Sequence, residues 1–397
     1  MSYFRAKPSR TVPKLFSLMG EIQTFLITWW PWILFSLFCL VILIQLIYYI
    51  AFFRRVAFFK PTLKEKSQTH AVSIIVCARD EANNLTKYLP GVLVQTYPST
   101  HELIVVNHNS QDETRYLLDE FKKTFKNLQA INLEQEALGI PGKKYPLSIG
   151  IKEAKHEILL LTDADCVPAS EFWLQKMQDA YHDGVEIVLG YGAYNKKPGI
   201  LNKIIRFETF HSALQYMSYA LAGLPYMGVG RNLSYKRELF FRQKGFSSIN
   251  HVASGDDDLF INQVATKHNV NVVLDQEAFT LSEPKRKFSD WIRQKNRHYS
   301  TSKFYKPVHK FLLGLYSTSH FFLYPLFVLC LVFFDWRLTL GVFGIRFLWQ
   351  AVVYYNAMKK MNEKDLFYWW WILDIWMFIH YFIFAPSIWR KPNKNWN

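Results

Sequence analysis

The sequence predicts an α/β domain with a mainly parallel central sheet, together with transmembrane helices, one N-terminal and about three C-terminal. Two patterns indicate this fold class. Between residues 71 and about 300, short apolar runs alternate with helical patterns, as parallel strands do when helices cover both faces of a sheet. Outside that region lie long stretches with almost no charge, although 20% of the 397 residues are charged. Such segregation is typical of a soluble domain joined to membrane spans.

The first uncharged stretch has no Asp, Glu, Lys or Arg over residues 25–53, and a helix needs only ~20 residues to cross a bilayer. Two later stretches each carry an internal charge, Arg346 and Asp374. Each charge requires a partner inside the bundle or a place near the interface. One of these two stretches could instead lie in the plane of the membrane. The four predicted spans cover residues 25–53, 311–334, 338–358 and 366–389.

The net charge of +15 fits either nucleic-acid binding or a membrane surface. Basic clusters beside the predicted spans favour cytoplasmic loops and anionic lipid headgroups. Four scattered cysteines without metal-ligand spacing fit a reducing compartment. We therefore predict a multi-pass protein of a bacterial inner membrane, with a cytoplasmic soluble domain and no nucleic-acid partner. The side of the N-terminus stays open, because a single first span would place its basic residues outside. The clusters are Arg54, Arg55, Lys60, Lys64 and Lys66, and Lys359, Lys360 and Lys364.

The chain divides into seven predicted parts. They are a tail (1–22), a transmembrane helix (23–53), a basic linker (54–70), the soluble domain (71–284), a basic amphipathic segment (285–309), membrane or interfacial helices (310–389) and a second tail (390–397). In the soluble domain we expect strands at residues 71–76, 103–106, 130–133 and 158–161, and helices at 84–95, 112–125 and 146–154. Ligands of such sheets bind beyond the carboxyl ends of the strands, so polar residues there are candidates for a functional site.

Asp163 and Asp165 follow the apolar run at residues 158–161. Two carboxylates at the end of a buried strand repel each other. A hard divalent cation, Mg²⁺ or Mn²⁺, shared with a substrate phosphate would relieve that repulsion. A helix-capping pair is the alternative.

Polar residues after the neighbouring strands have two interpretations each, a helix cap and a ligand contact. Arg79 and Glu81 follow the first strand, and Asn107 and Ser110 follow the second. Lys143, in a Gly-Lys-Lys run, either contacts a diphosphate or is simply solvated.

Two later motifs complete the candidate rim. Asp256, Asp257 and Asp258 repel one another, so one of them could keep a raised pKa and a basic role near neutral pH. The same trio also suits the N-terminus of a helix, and both interpretations can hold together. In residues 228–232, two glycines allow either close approach of a ligand to the backbone or a tight turn.

The last motif places Gln294, Arg297 and His298 on one helical face. Arg297 could bind phosphate while Trp291 packs near an acceptor. A basic amphipathic helix at the membrane surface is the alternative.

Taken in order, these motifs resemble the family 2 glycosyltransferases of the GT-A fold in their membrane-integrated form. The resemblance covers about residues 71–300. Its matching residues are Val72-Ser73-Ile74-Ile75-Val76 with Arg79-Asp80-Glu81, Asp163-Ala164-Asp165, Gly255-Asp256-Asp257-Asp258 and Gln294-x-x-Arg297-His298.

The resemblance implies a role for each motif. Asp165 and Asp163 would hold the metal, and the acidic pair aligns best with Asp256 and Asp257, so that Asp257 is the expected general base and Asp258 its alternative. Trp291 would lie on the acceptor side. The implied donor-binding residues are Arg79, Glu81, Asn107, Ser110, Lys143, Asp163, Gly230, Asn232, Gln294, Arg297 and His298.

Two positions depart from the family pattern. Asn107 and His108 stand where the family usually has an aspartate, so nucleotide contact there could differ. His298 stands where processive polysaccharide synthases typically have Trp, which disfavours long polymers.

The predicted function is inverting, metal-dependent sugar transfer from a nucleotide-sugar donor, expected to be UDP-linked, to a membrane-associated lipid acceptor. A processive polysaccharide synthase and a non-catalytic nucleotide-binding membrane scaffold are the alternatives. The sequence does not indicate an oligomeric state.

Overall fold

The structure, a computed structural model, describes residues 11–61, 70–135, 137, 139–182 and 184–388. It confirms an α/β domain with a mainly parallel central sheet next to long apolar helices. The predicted C-terminal tail, residues 1–10 of the predicted N-terminal tail, and Lys64 and Lys66 of the linker lie outside the described residues.

The described residues contain ten strands in two sheets. They are β1 (Val72–Ala78), β2 (His101–His108), β3 (Leu128–Leu133), β4 (Ile158–Asp163), β5 (Cys166–Pro168), β6 (Ile187–Leu189), β7 (Gly192–Tyr194), β8 (Leu233–Lys236), β9 (Val270–Val272) and β10 (Thr280–Ser282). The larger sheet has the order β3-β2-β1-β4-β8-β6-β9. Only β8 runs antiparallel to its neighbours in that sheet, within the described residues. The smaller sheet has the order β5-β10-β7.

Thirteen α-helices occur in the same residues. Those between the N-terminal and the C-terminal long apolar helices are α3 (Ala82–Leu93), α4 (Thr114–Thr124), α5 (Lys144–Glu153), α6 (Trp173–Gln178), α7 (Ile200–Leu221), α8 (Arg237–Arg242), α9 (Asp258–Val264) and α10 (Phe288–Tyr299). The long apolar ones are α1 (Thr11–Tyr48), which continues through a π-helical turn (Tyr49–Phe53) into α2 (Arg54–Ala57), then α11 (Pro307–Phe333) and α12 (Trp336–Lys360), with the shorter α13 (Trp370–Phe384) last.

The strands lack polar alternation because both faces of the sheet are covered. On one face, Ile75 packs in a cluster with Ile151 of α5. On the other, Ile74 packs in a cluster with Leu85 and Leu89 of α3. The first cluster continues into α7 and the long apolar helices, so that face of the domain is the one that meets the membrane part.

The strands and helices expected between residues 71 and 161 are confirmed with small shifts of their ends. The elements that were not predicted from the sequence include β8 and α7. β8 is short and sits between β4 and β6. α7 is buried nearly all round, so it lacks the polar stripe that marks a surface helix.

Three helices are long and apolar enough to cross a membrane among the residues that the structure describes: Thr28–Ala57, Pro307–Phe333 and Trp336–Lys360. The first two of them meet at one end, since the ring of Trp30 lies 5.1 Å from that of Phe333 and the ring of Trp32 lies 4.8 Å from that of Phe334.

The helix within the fourth predicted span, α13, is not among these three. α13 has 15 residues, about 22 Å at the rise of an α-helix. Just before it, Glu363 pairs with Arg206 of α7, and at its end the ring of Phe384 lies 5.6 Å from that of Trp291 in α10. Both ends of α13 therefore lie near helices of the α/β domain, which fits the alternative of a helix along the membrane plane. Trp389, the last residue of the predicted span, lies outside the described residues.

The two internal charges of the apolar helices are each other's partner, as expected. Both terminal nitrogens of Arg346 lie 3.1 Å from Asp374 Oδ2. Asp374 also accepts hydrogen bonds from Tyr324 and Gln350. This buried pair fixes α13 across α11 and α12.

Candidate active site

The candidate site lies at the carboxyl ends of β1, β2 and β4. The parallel register pairs Cys77 of β1 with Asp163 of β4, and Ala78 of β1 with Asn107 of β2. Because β4 ends at Asp163, the loops that follow these strands open onto one rim.

Asp163, Asp165 and Cys166 are the one group of potential metal ligands found among the described residues. One donor atom from each lies within 4.8 Å of the others. Burial raises the pKa of Asp165, and the charge of Asp163 raises it further. Burial also raises the pKa of the Cys166 thiol well above its ordinary value, so the sulfur stays protonated. The two carboxylates offer the oxygen ligands that Mg²⁺ and Mn²⁺ prefer, and a cation would relieve their repulsion.

Lys143 connects this pair to the acidic trio. Its Nζ lies 2.7 Å from Asp163 Oδ1 and 3.4 Å from Asp256 Oδ2. Burial would lower the pKa of Lys143, but the charges of these carboxylates raise it well above its usual value. Burial would conversely raise the pKa of Asp163, and the charge of Lys143 lowers it instead. Lys143 is therefore a fixed cation between the two acidic groups.

Arg231 is a site residue that the sequence analysis missed. Its guanidinium lies over the ring of Tyr194, 4.4 Å from the ring centre, and donates to Ser282 Oγ at 3.1 Å. Its charge also lowers the pKa of Asp163, after the larger effect of Lys143. The available signal was a basic residue inside the glycine-containing segment 228–232.

Gly230 and Asn232, two predicted donor-binding residues, both form hydrogen bonds within the protein. Asn232 is fully buried, donates to the carbonyl oxygens of Tyr191 and Ala278, and accepts from the indole of Trp173. Its amide is thus occupied inside the fold, and its predicted donor contact is not supported by this geometry. Gly230 serves the acidic trio through its backbone.

The three aspartates of the trio have three different environments. Asp256 is buried and faces Lys143. Asp258 is buried and accepts hydrogen bonds from the hydroxyls of Thr301 and Tyr305. Asp257 is half-buried and is the N-cap of α9.

Asp257 has the properties of a base near neutral pH. It accepts from the backbone N–H of Gly230 and of Asp258, each at 2.7 Å. Burial raises the pKa of Asp257 to about 7, with further contributions from the charges of Asp256 and Asp258. Both sequence interpretations of the trio hold, since it forms a helix cap and also contains a carboxylate with a raised pKa.

The predicted nucleotide residues lie in two loops that are hydrogen-bonded to each other. Ser110 Oγ accepts from the backbone N–H of Asp80 and donates to Asn107 Oδ1. Glu81 accepts from Asn84, and burial raises the pKa of Glu81. Asn107 and Ser110 therefore brace the loop, while Glu81 and the half-buried Arg79 lie at its rim.

α10 brings Gln294, Arg297 and His298 toward the same rim. Gln294 donates to the hydroxyl of Tyr194 at 3.4 Å, the ring on which Arg231 stacks. The charge of Arg297 is among those that lower the pKa of Asp163. His298 is exposed. The helix α10 is anchored to α7, because Lys295 forms a buried ion pair with Glu208 of α7.

Trp291 does not lie on an open acceptor surface. It is 0% exposed, and its ring lies 5.3 Å from that of Phe288, 5.8 Å from that of His380 and 5.6 Å from that of Phe384. Its indole fills the space between α10 and α13. Its predicted place near an acceptor stays a prediction.

A solved transferase structure has a similar fold. The mannosyltransferase PcManGT from Pyrobaculum calidifontis, solved in complex with GDP-Man and Mn²⁺, aligns with a TM-score of 0.56 at 18% identity, over 88% of this chain and 98% of that one. Residues 73–242 match the family model "Glycosyl transferase family 2". This segment of the chain is therefore similar to the family 2 glycosyltransferases.

Curated relatives match the same part of the chain. Glycosyltransferase AglE of Haloferax volcanii is 29% identical over 192 residues, which are 47% of this chain, and the match covers 58% of AglE. A poly-beta-1,6-N-acetyl-D-glucosamine synthase of Staphylococcus epidermidis is 29% identical over 145 residues, 36% of this chain and 34% of that synthase. The chain thus spans between a third and three fifths of these relatives' lengths. Both relatives are named as sugar-transferring enzymes.

Proposed function

We propose that this chain is an inverting, metal-dependent glycosyltransferase that moves a sugar from a nucleotide-sugar donor to a lipid acceptor at the membrane. One observation carries the proposal. A pair of carboxylates suited to a divalent cation and a carboxylate with a pKa of about 7 lie at one rim, and Lys143 contacts the first group and reaches the second.

The donor half of the site comprises Asp163, Asp165, Lys143, Arg231 and Arg297. A Mg²⁺ or Mn²⁺ ion held by Asp165 and Asp163 would supply positive charge against the departing nucleoside diphosphate. Lys143 and the arginines add fixed positive charge, which stabilises the leaving diphosphate without reorganisation. We propose UDP as the nucleotide.

The acceptor half centres on Asp257. A base with a pKa near the working pH removes a proton from an acceptor hydroxyl most effectively. Asp256 faces Lys143, and Asp258 is occupied by two hydroxyls, so Asp257 is the carboxylate of the trio best placed to accept that proton. Attack from the side opposite the leaving group inverts the anomeric carbon.

A membrane-borne acceptor is supported by where the trio is anchored. Asp258 bonds to Thr301 and Tyr305, and α11, a helix able to cross a membrane, starts at Pro307. Asn262 of the same helix α9 accepts from the backbone N–H of Lys306 and contacts His309. The acidic trio and α9 therefore contact the residues immediately before α11, which brings the proposed base within reach of a lipid headgroup. We propose that the catalytic domain faces the cytoplasm.

A processive polysaccharide synthase is the second candidate, favoured by the similarity to the poly-beta-1,6-N-acetyl-D-glucosamine synthase. That similarity spans 145 residues. His298 in place of Trp, and an α13 that starts and ends on the catalytic side, favour transfer of single sugars instead.

The proposal is tested with membranes from cells that express the chain, incubated with Mn²⁺ and a panel of labelled UDP- and GDP-linked sugars. Label in the lipid extract as a small product supports the proposed function. Label in a ladder of long products supports a polysaccharide synthase. Donor binding without turnover for every acceptor tried would indicate a non-catalytic scaffold.

A further inference from the structure

Lys144 is a buried lysine that the proposed transfer does not use. It is 0% exposed, and its Nζ donates to the backbone oxygen of Val252 at 2.5 Å and of Ser254 at 2.7 Å. The sequence suggested a pair of equivalent lysines, but only Lys143 faces the carboxylates of the site. Lys144 points the other way, into the segment 252–254.

A second contact joins the same two segments. Gly142 has φ +79°, and a Cβ on it would lie 2.2 Å from the backbone oxygen of Ala253. The three consecutive carbonyl groups of segment 252–254 therefore each meet a residue at or just before the start of α5: the first and third accept from Lys144, and the second lies against Gly142. Only glycine permits this approach, because any side chain would push the two segments apart.

The segment 252–254 runs directly into the acidic trio. Gly255 follows with φ +100°, and a Cβ there would lie 2.5 Å from Leu259 Cδ1, so the turn into α9 has little freedom to adjust. Asp256 and Asp257 come immediately after it. Their positions relative to Lys143 are consequently set by the place where the segment is held.

We propose that Lys144 is a positioning residue for the sugar transfer, whose ammonium group holds segment 252–254 and thereby sets the acidic trio against Lys143 and Asp163. The inference rests on the proposed function. It assigns the two adjacent lysines to separate tasks: Lys143 meets the donor side, and Lys144 fixes the carboxylates that act on the acceptor.

The test compares Lys144→Met with Lys152→Met in the full-length protein, using the nucleotide sugar that labels the lipid extract. Lys152 is an exposed lysine on the same helix, so its variant controls for loss of one charge from α5. We expect Lys144→Met to lower kcat by about 10- to 100-fold, as small displacements of reacting groups do. The KM for the donor should change by less than about threefold, because Asp163, Asp165 and Arg231 lie on other elements. Lys152→Met should leave both constants unchanged.

Two further readouts separate positioning from a general loss of folding. Asp256, Asp258, Lys143 and Tyr216 interact electrostatically with Asp257, and Lys144 does so as well, although its ammonium group is directed at the segment 252–254. Loss of the Lys144 charge should move the acidic limb of kcat/KM to higher pH, which a purely structural role would not do. Lys144→Arg keeps the cation and its donors and should recover most of the lost kcat.

Gly142→Ala provides a variant that leaves Lys144 in place, and it should lower kcat in the same way. A folded Lys144→Met or Gly142→Ala with unchanged kcat would overturn this inference and leave the proposed function standing. A wild-type protein that transfers no sugar from any donor would overturn both. Should Lys144→Met fail to fold, Gly142→Ala and Lys144→Arg decide the matter by the same kcat comparison.

Discussion

The backbone N–H of Gly230 donates a hydrogen bond of 2.7 Å to Asp257 Oδ2. This contact orients the carboxylate while leaving it half-buried instead of enclosed. A Cβ on Gly230 would lie 3.3 Å from that same oxygen, so a larger residue would crowd the proposed base. A glycine that the sequence marked for ligand approach or a tight turn therefore orients the carboxylate of the proposed base.

Asp257→Asn should lower kcat for sugar transfer by about 10²- to 10⁴-fold, because the amide cannot accept the proton of the acceptor hydroxyl. Its oxygen can still accept from Gly230, so donor binding should be retained, as measured by titration with the nucleotide sugar. Asp119→Asn, an exposed aspartate of α4, is the matched control. A larger loss in Asp256→Asn than in Asp257→Asn would transfer the role of base to Asp256.

The activity should rise with pH through about 7. The pKa of Asp257 is raised to about 7 by burial and by its acidic neighbours, and a general base acts in its ionised form. Below that pH the carboxylate is protonated and kcat/KM should fall about tenfold per pH unit. The measurement is the pH profile of kcat/KM between pH 5.5 and 8.5. A profile that is flat across this interval would mean that no group with such a pKa is required.

Removal of divalent cations should abolish transfer, and Mn²⁺ or Mg²⁺ should restore it. Asp165→Asn should raise the metal concentration for half-maximal activity by at least about tenfold, because changes around a metal site commonly cost 10- to 100-fold in affinity. The measurement is a metal titration of the chelator-treated protein. Asp119→Asn again serves as the control. Full activity in the presence of chelator would remove the metal from the account.

Trp291→Ala should destabilise the protein by about 3–5 kcal/mol, the usual cost of emptying a buried aromatic site. Trp371→Ala should cost little, because Trp371 of α13 is 50% exposed. Thermal unfolding in detergent compares the two. The milder variant Trp291→Phe should keep its KM for the acceptor. Unchanged stability together with a raised acceptor KM would instead support the acceptor contact that the sequence suggested.

Local patterns predicted much of the catalytic domain. The apolar run that ends at Asp163 is a strand because nothing polar interrupts it, and the trio caps a helix because acidic side chains suit a helix N-terminus. These features depend on neighbouring residues only. They could therefore be derived without knowledge of the tertiary structure.

Features that depend on distant segments could not be derived in this way. The three aspartates of the trio have different environments because they contact Lys143, Gly230 and Tyr305, respectively. These three residues are far from the trio along the chain. Lys143 and Lys144 look alike in the sequence, and only tertiary packing sends them in opposite directions. α13 has the apolar composition of a membrane span. The residues near its two ends nevertheless contact Arg206 and Trp291, and hydropathy alone does not predict such contacts.

The most direct test of the central claim is transfer of label from the identified nucleotide sugar to lipid by purified protein in lipid nanodiscs. With Mn²⁺ present, the wild-type protein should release nucleoside diphosphate and label the lipid in equal amounts. Asp257→Asn should bind the donor but label the lipid at least about 100-fold more slowly. Equal labelling by wild type and Asp257→Asn, or no labelling by the wild type with any donor, would contradict the account.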